Sequence, residues 1–234
     1  MNHQKFWRQF LGNLLIISSL LILVLAWGPI IKSELNYQLN KLTGHKFCLP
    51  SDKTCLTGQS DTLGQKPSPF SALIGRLIVS TPTIIQPINR EFAIVIEKIN
   101  VNAPIISNVS VTDPAAYNKA LRDGVAQAIN TAVPSDPRGN VYLFAHSSLD
   151  FWQLGQYATV FNLVRKLEQG DTIHVFYHGF DYTYSVINKE IVAGFNTYPL
   201  DRRTIEPILT IQTCDPPGTT LNRLVVTAKL TMVK

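Results

Sequence analysis

From Phe10 to Ile31 the chain runs 22 residues without a charged side chain, and from Leu14 onward nearly all of them are apolar. As an α-helix rising about 1.5 Å per residue, this run reaches roughly 33 Å, enough to cross a hydrocarbon core of about 30 Å. Lys5 and Arg8 precede it, whereas Lys32 just after it is offset by Glu34. That bias favours an N-terminus in the cytoplasm and everything after Lys32 outside. Trp7 and Trp27 lie near the two ends, where an aromatic belt places them. A cleaved signal peptide is the alternative, with Val24-Leu25-Ala26 as a loose small-residue cleavage site. The apolar run is long for that purpose, and Trp27 to Ile31 continue it past the cut. Either way the remainder of the chain is exported. The expected organisation is a cytoplasmic N-terminus (1–9), a transmembrane anchor (10–31), an extracytoplasmic stem (32–89) and a folded body (90–234).

Charge follows the same division. The formal net charge is +5. Residues 90–234 carry 13 basic and 13 acidic side chains, so the whole excess sits in residues 1–89. A nucleic-acid-binding domain carries its basic excess on the folded body. No nucleic-acid partner is therefore expected.

The stem is polar and rich in Gly and Pro, as in Thr43-Gly44, Leu49-Pro50 and Lys66-Pro67-Ser68-Pro69. It has little sustained periodicity, although Phe70 to Val79 suits a short helix. Three cysteines are too few for a disulfide-built fold, and the odd number leaves one over. Cys48 and Cys55 stand close enough in sequence to close a small disulfide. Two free thiols, or a metal site with His45 that lacks a recognisable fourth ligand, remain open readings.

From Arg90 the pattern changes to short β-type runs separated by turns. Phe92 to Ile99 alternates, Val101 to Ile106 follows, and Asn140 to Ala145 reads as a buried strand. Asp171 to His178 and Tyr182 to Val192 form a hairpin around Gly179. Ile208 to Thr213 and Arg223 to Val233 complete the set. Asp113-Pro114 opens a short helix with an N-cap aspartate and proline at its first position, and Val160 to Leu167 has helical spacing. Seven or eight short strands with two short helices point to a mainly β fold, a closed or nearly closed barrel.

Three chemically capable side chains stand at strand ends. Cys214 precedes the turn Asp215-Pro216-Pro217-Gly218, His146 follows Val141 to Ala145, and Arg223 opens the last strand. Singly, each has an ordinary reading as a buried thiol, a loop hydrogen bond or a solvated edge. Together they suit nucleophilic acyl transfer: a thiolate attacks, a neighbouring cation eases its formation, and a guanidinium holds an oxyanion.

Their surroundings resemble a known family. Thr210-Ile211-Gln212-Thr213-Cys214 looks like the TLxTC signature of bacterial sortases, with Ile for Leu. Arg223-Leu224-Val225-Val226-Thr227-Ala228 is similar to the family's arginine strand. Gly139-Asn140-Val141-Tyr142-Leu143-Phe144-Ala145-His146-Ser147 resembles its histidine strand, with Ala145 in place of Gly. Ile99 to Ile105 resembles its opening hairpin, and Gly170-Asp171 and Tyr184-Ser185-Val186 fall in family order. The likeness covers roughly residues 90–234.

The resemblance implies a membrane-anchored cysteine transpeptidase with a closed eight-stranded β-barrel and short helices, behind one N-terminal transmembrane helix. Cys214 is then the nucleophile, His146 the proton donor and acceptor, and Arg223 the holder of substrate backbone and oxyanion. Thr213, Ala145 and Ser147 are expected to contact substrate, and the loop Ala193 to Pro207 to wall the groove. The implied partners are an exported protein bearing an LPxTG-like sorting signal and an amine of the cell envelope, with no cofactor and no metal. The implied location is the cell membrane, single-pass, with the catalytic domain outside. Pilin-polymerising members carry an Asp-Pro-aromatic ahead of the barrel and often a C-terminal membrane helix. Neither pattern occurs here, since Asp113-Pro114 is followed by alanines and the sequence closes at Lys234, which favours attachment of single proteins. A cysteine peptidase using water alone and a silent peptide-binding module are the alternatives.

Overall fold

The computed structural model describes residues 3–52, 82–147 and 155–234. Helix α1, His3–Thr43, is continuous for 41 residues. Its first half exposes a row of Leu, Ile and Val side chains. The stretch Trp7–Val24 is long and apolar enough to cross a membrane, and none of it is buried. The helix does not stop at Ile31. Its last turns are polar on one side and dock on the body. Ser33 Oγ accepts from Asn162 Nδ2 at 2.9 Å, and Glu34 receives Lys166 Nζ at 2.6 Å with Arg165 at 3.6 Å. The Lys166 ammonium also lies 5.5 Å over the Tyr37 ring, a favourable cation–π arrangement. The Lys166 hydrogen bond holds the Glu34 carboxyl below its ordinary value. The stabilisation linked to that depression is therefore present at neutral pH and lost as pH falls through the carboxylate range.

The described part of the expected stem is folded rather than loose. Strands β1 (Phe47–Cys48) and β2 (Thr83–Ile84) pair in parallel. Leu49 and Ile85 pack with Phe47 over Ala93, Val95 and Phe176 on the outer wall of the barrel. Leu49 N–H donates to the Glu97 carboxylate, which burial pushes above its usual range. Cys48 is fully buried and disulfide-bonded. Cys55, its expected partner, and the expected helix Phe70 to Val79 lie outside the described residues.

The body is a closed barrel of eight strands: β3 (Phe92–Ile96), β4 (Val101–Val109), β5 (Val125–Ala128), β6 (Gly139–Phe144), β7 (Thr172–Tyr177), β8 (Phe180–Ala193), β9 (Pro207–Asp215) and β10 (Asn222–Val233). They close in the order β10-β8-β7-β3-β4-β5-β6-β9. Most pairs are antiparallel, but β4–β5 and β6–β9 are parallel. A parallel neighbour needs a crossover rather than a tight turn. Helix α2 (Pro114–Asp123) supplies it between β4 and β5, capped by Asp113 as the sequence predicts. Alternation sends Ile94, Ile173, Val175, Tyr184, Leu209, Ile211, Leu224 and Val226 into one buried interior, the arrangement by which side chains fill a barrel of this size.

Within the body, the first expected strand and the second expected helix take a different form. The strand expected over Phe92 to Ile99 ends at Ile96, because Glu97–Ile99 wind into a 3-10 turn closed by Asn100 at φ 52°. Val160 to Leu167 is a series of turns with only Val164–Lys166 as 3-10 helix; its apolar spacing serves burial of Phe161, Val164 and Leu167 rather than a regular helix.

Gly124, after α2, packs its backbone tightly against that of Pro104. A Cβ there falls 2.3 Å from the Pro104 carbonyl oxygen. Gly124→Ala is expected to destabilise the domain by about 1–3 kcal/mol or more, read as a lowered thermal midpoint. An unchanged midpoint contradicts this packing.

Candidate active site

Strands β6, β9 and β10 lie side by side, and their register sets the site. Tyr142 stands opposite Thr210 and Phe144 opposite Gln212. On the other side of β9, Gln212 faces Val225 and Cys214 faces Arg223. Leu209 and Ile211 point into the barrel. By the two-residue period of a strand, Thr210, Gln212 and Cys214 therefore face outward with Tyr142, Phe144, Arg223 and Thr227. Cys214 and Arg223 are direct cross-strand neighbours, whose Cβ atoms lie about 4.5–5.5 Å apart in such pairs.

His146 lies two residues past the end of β6, but hydrogen bonds extend the alignment to it. Ala145 N–H donates to Gln212 O at 3.2 Å. Thr213 Oγ1 donates to Ala145 O at 2.9 Å, and Ser147 Oγ donates to Cys214 O at 2.8 Å. Gly218 N–H closes the set on Ser147 O at 2.6 Å. Ala145 and Ser147 are buried and His146 is half-buried, so His146 continues the outward row of Phe144 and stands level with Cys214. His146, Cys214 and Arg223 thus come together across three adjacent strands. The described positive-φ residues outside glycine are Asn100, Asn108, Asn130 and His178. Ala145 is not among them, which explains how alanine fits where the family motif has glycine.

Thr213, Ala145 and Ser147 were expected to touch substrate. All three are buried, and the hydroxyls of Thr213 and Ser147 are committed to backbone carbonyls of the neighbouring segment. Their contribution in this structure is to fix the histidine segment against the cysteine strand.

Electrostatics at the thiol are a contest. Burial pushes the Cys214 thiol above its ordinary value, and the Arg223 guanidinium opposes the rise. Arg223 Nη1 donates to the carbonyls of Thr220 and Asn222 at 3.2 and 3.1 Å, which turns its head toward the β9–β10 turn. Cys214 is a free cysteine. Among the described residues no group of three His, Cys, Asp or Glu side chains is placed to hold a metal ion.

Several residues of the face went unnoticed in the sequence. Thr210 Oγ1 donates to Asn140 Oδ1 at 2.7 Å, and Asn140 Nδ2 donates to Pro199 O at 3.0 Å. Arg202 Nη2 reaches Thr210 and Thr227 at 3.0 and 3.1 Å. These bonds pin the β8–β9 loop, which contains the one-turn helix Tyr198–Asp201, over the end of the face away from Cys214. Gly194 N–H donates to Leu221 O at 3.0 Å, joining this loop to the β9–β10 turn beside Arg223. Around it Phe195 and Ile205 are 90% and 85% exposed. Tyr142 OH donates to Gln212 Oε1, bridging β6 and β9. Tyr117 of α2 packs against Phe144 and His146. The Gly-Asn and Thr-x-x-Thr-Cys patterns already contained Asn140 and Thr210, but nothing local marked Arg202 or Tyr117.

Known proteins share this fold. A family profile described as the sortase domain matches residues 94–231. Among solved structures, sortase C-1 from Actinomyces oris is 28% identical with a TM-score of 0.51, covering 62% of this chain and 76% of its own. Sortase A from Corynebacterium diphtheriae, a lid mutant, is 21% identical with a TM-score of 0.50 and coverage of 62% and 71%. Sortase C1 from Streptococcus agalactiae is 23% identical with a TM-score of 0.50 and coverage of 60% and 67%. No curated protein matches. A profile spanning more than half of the sequence, on a closed barrel whose outer face aligns a cysteine, a histidine and an arginine, leaves one conclusion: the chain belongs to the sortase family.

Proposed function

We propose that this sortase is a cysteine transpeptidase that cleaves an LPxTG-like sorting signal and transfers the upstream protein to an amine of the cell envelope. One observation carries the reading: His146 just past the end of β6, Cys214 on β9 and Arg223 on β10 stand level. The Cys214 thiolate attacks the carbonyl carbon of the scissile amide, and the tetrahedral oxyanion is held by guanidinium donors of Arg223. Collapse breaks the C–N bond, with the proton for the leaving amine supplied by the His146 imidazolium. An incoming amine gives a proton to the imidazole, attacks the thioester carbonyl and releases the thiolate.

The exposed apolar rim of Phe195, Tyr198 and Leu221 supports an extended, largely uncharged peptide as substrate. Helix α1 supports a single-pass anchor, because its apolar span leads within the same helix into the segment docked at Ser33 to Tyr37, and Lys5 and Arg8 ahead of the span favour the barrel outside.

Product analysis tests the reaction class. Incubation with an LPxTG-type peptide and an amine, oligoglycine or diaminopimelate, is expected to give the peptide–amine adduct in excess over free acid. Free acid alone, at every amine concentration, identifies a peptidase. Binding without cleavage identifies a silent module.

A further inference from the structure

The backbone hydrogen bonds at Ala145 and Ser147 fix where the His146 Cα sits, and the orientation of its imidazole is set by what packs on the ring, Tyr117 among them. Tyr117 stands at the first turn of α2, where its N–H donates to Asp113 O at 2.9 Å. The Asp113 carboxylate fixes that end of the helix through the N–H groups of Ala115 and Ala116 at 2.9 and 3.3 Å, and Ala120 and Leu121, one turn further along the same face, are buried in the core. The Tyr117 ring is stacked on Phe144, with centroids 5.2 Å apart and planes at 17°. It meets the His146 imidazole edge to face, at 5.8 Å and 78°. These are the two preferred geometries of aromatic contact. The phenol also lies within the electrostatic reach of both Cys214 and Arg223. Tyr117 is therefore in ring contact with one member of the trio and close to the other two.

We propose that Tyr117 is a positioning residue: its ring, clamped on Phe144, sets the plane in which His146 faces Cys214. The role rests on the acyl-transfer reading above and deepens it. It belongs to the ring rather than the hydroxyl, because the two contacts that define it are ring contacts. Burial and the nearby thiol both push the phenol upward from its ordinary value, so it stays neutral through the working range and adds no charge. A misplacement of about 1 Å at a reacting group costs on the order of 10²-fold in rate. Loss of the clamp should therefore appear in kcat and leave peptide binding largely intact.

The test compares Tyr117→Leu, which fills similar space without a flat ring, with Tyr117→Phe, which keeps the ring and loses the hydroxyl. Tyr117→Leu is expected to lower kcat about 10- to 100-fold with KM changed by less than about threefold, and to displace the pH–rate profile. Tyr117→Phe restores both. Phe144→Leu, which removes the clamp from the other side, is expected to displace the profile in the same direction and keeps the test available where Tyr117→Leu folds poorly. Wild-type kcat and an unmoved profile in Tyr117→Leu and Phe144→Leu overturn the role, as does a Tyr117→Phe variant as impaired as Tyr117→Leu. Cys214→Ala run alongside separates the two levels. Turnover retained in Cys214→Ala defeats the acyl-transfer reading, whereas turnover lost there with Tyr117→Leu unaffected defeats only the positioning role.

Discussion

Cys214→Ala is expected to abolish cleavage and transfer of an LPxTG-type peptide, lowering turnover by at least about 10³-fold, while the thermal midpoint stays within a few degrees. The two halves of this expectation have separate grounds. Among the described residues, the sulfur is the only group at the junction of β6, β9 and β10 able to carry an acyl group between two amines through a thioester. The fold does not depend on it, because the bonds around it run from Ser147 Oγ to the Cys214 carbonyl and between Ala145 and Gln212, all of which alanine keeps. Chromatographic product analysis reads the first half and circular dichroism the second. Comparable turnover in the variant contradicts the assignment of the nucleophile.

Arg223→Ala carries the next largest effect, in two places at once. As an oxyanion donor its loss costs on the order of 10²–10³ in turnover. As the cation opposing the burial-driven rise of the Cys214 thiol, its loss pushes that thiol still higher. The sign is definite. With a thiol above its ordinary value of 9.0, the thiolate fraction rises about tenfold per pH unit below that value. Alkylation by iodoacetamide should therefore climb steadily from pH 7 to 9 in the native chain and more slowly at each pH in Arg223→Ala. Arg223→Lys keeps the charge but not the fork of donors, so alkylation recovers more fully than turnover. Identical alkylation profiles for Arg223→Ala and the native chain contradict the electrostatic coupling across the β9–β10 pair.

The sequence carried the barrel because its strands alternate cleanly and its turns are marked. Asp113-Pro114 announced α2, and the three motifs around His146, Cys214 and Arg223 announced the face they share. What stayed hidden depends on distant partners. The continuation of α1 to Thr43 is stabilised by Asn162, Arg165 and Lys166, more than a hundred residues away, and its own composition there is merely polar. The two-residue strands β1 and β2 are too short for any period to show; they exist because Leu49 and Ile85 find Phe176 on the barrel wall. Arg202 and Tyr117 gain meaning only once Thr210 and Thr227, or Phe144 and His146, are brought against them. The hydroxyls of Thr213 and Ser147 donate to backbone carbonyls, and a hydroxyl in a motif does not reveal whether it faces a ligand or a carbonyl.

The central claim is that Cys214 holds the acyl group between cleavage and transfer, and intact mass spectrometry of the full-length chain tests it most directly. Mixed with an LPxTG-type peptide in the absence of amine, the protein is expected to gain the mass of the peptide's N-terminal fragment as an acyl group. Proteolytic mapping is expected to find that mass on Cys214, and added oligoglycine or diaminopimelate should discharge it into the peptide–amine product. Cleavage products accumulating with no adduct on Cys214, or an adduct that amine cannot discharge, contradict the account.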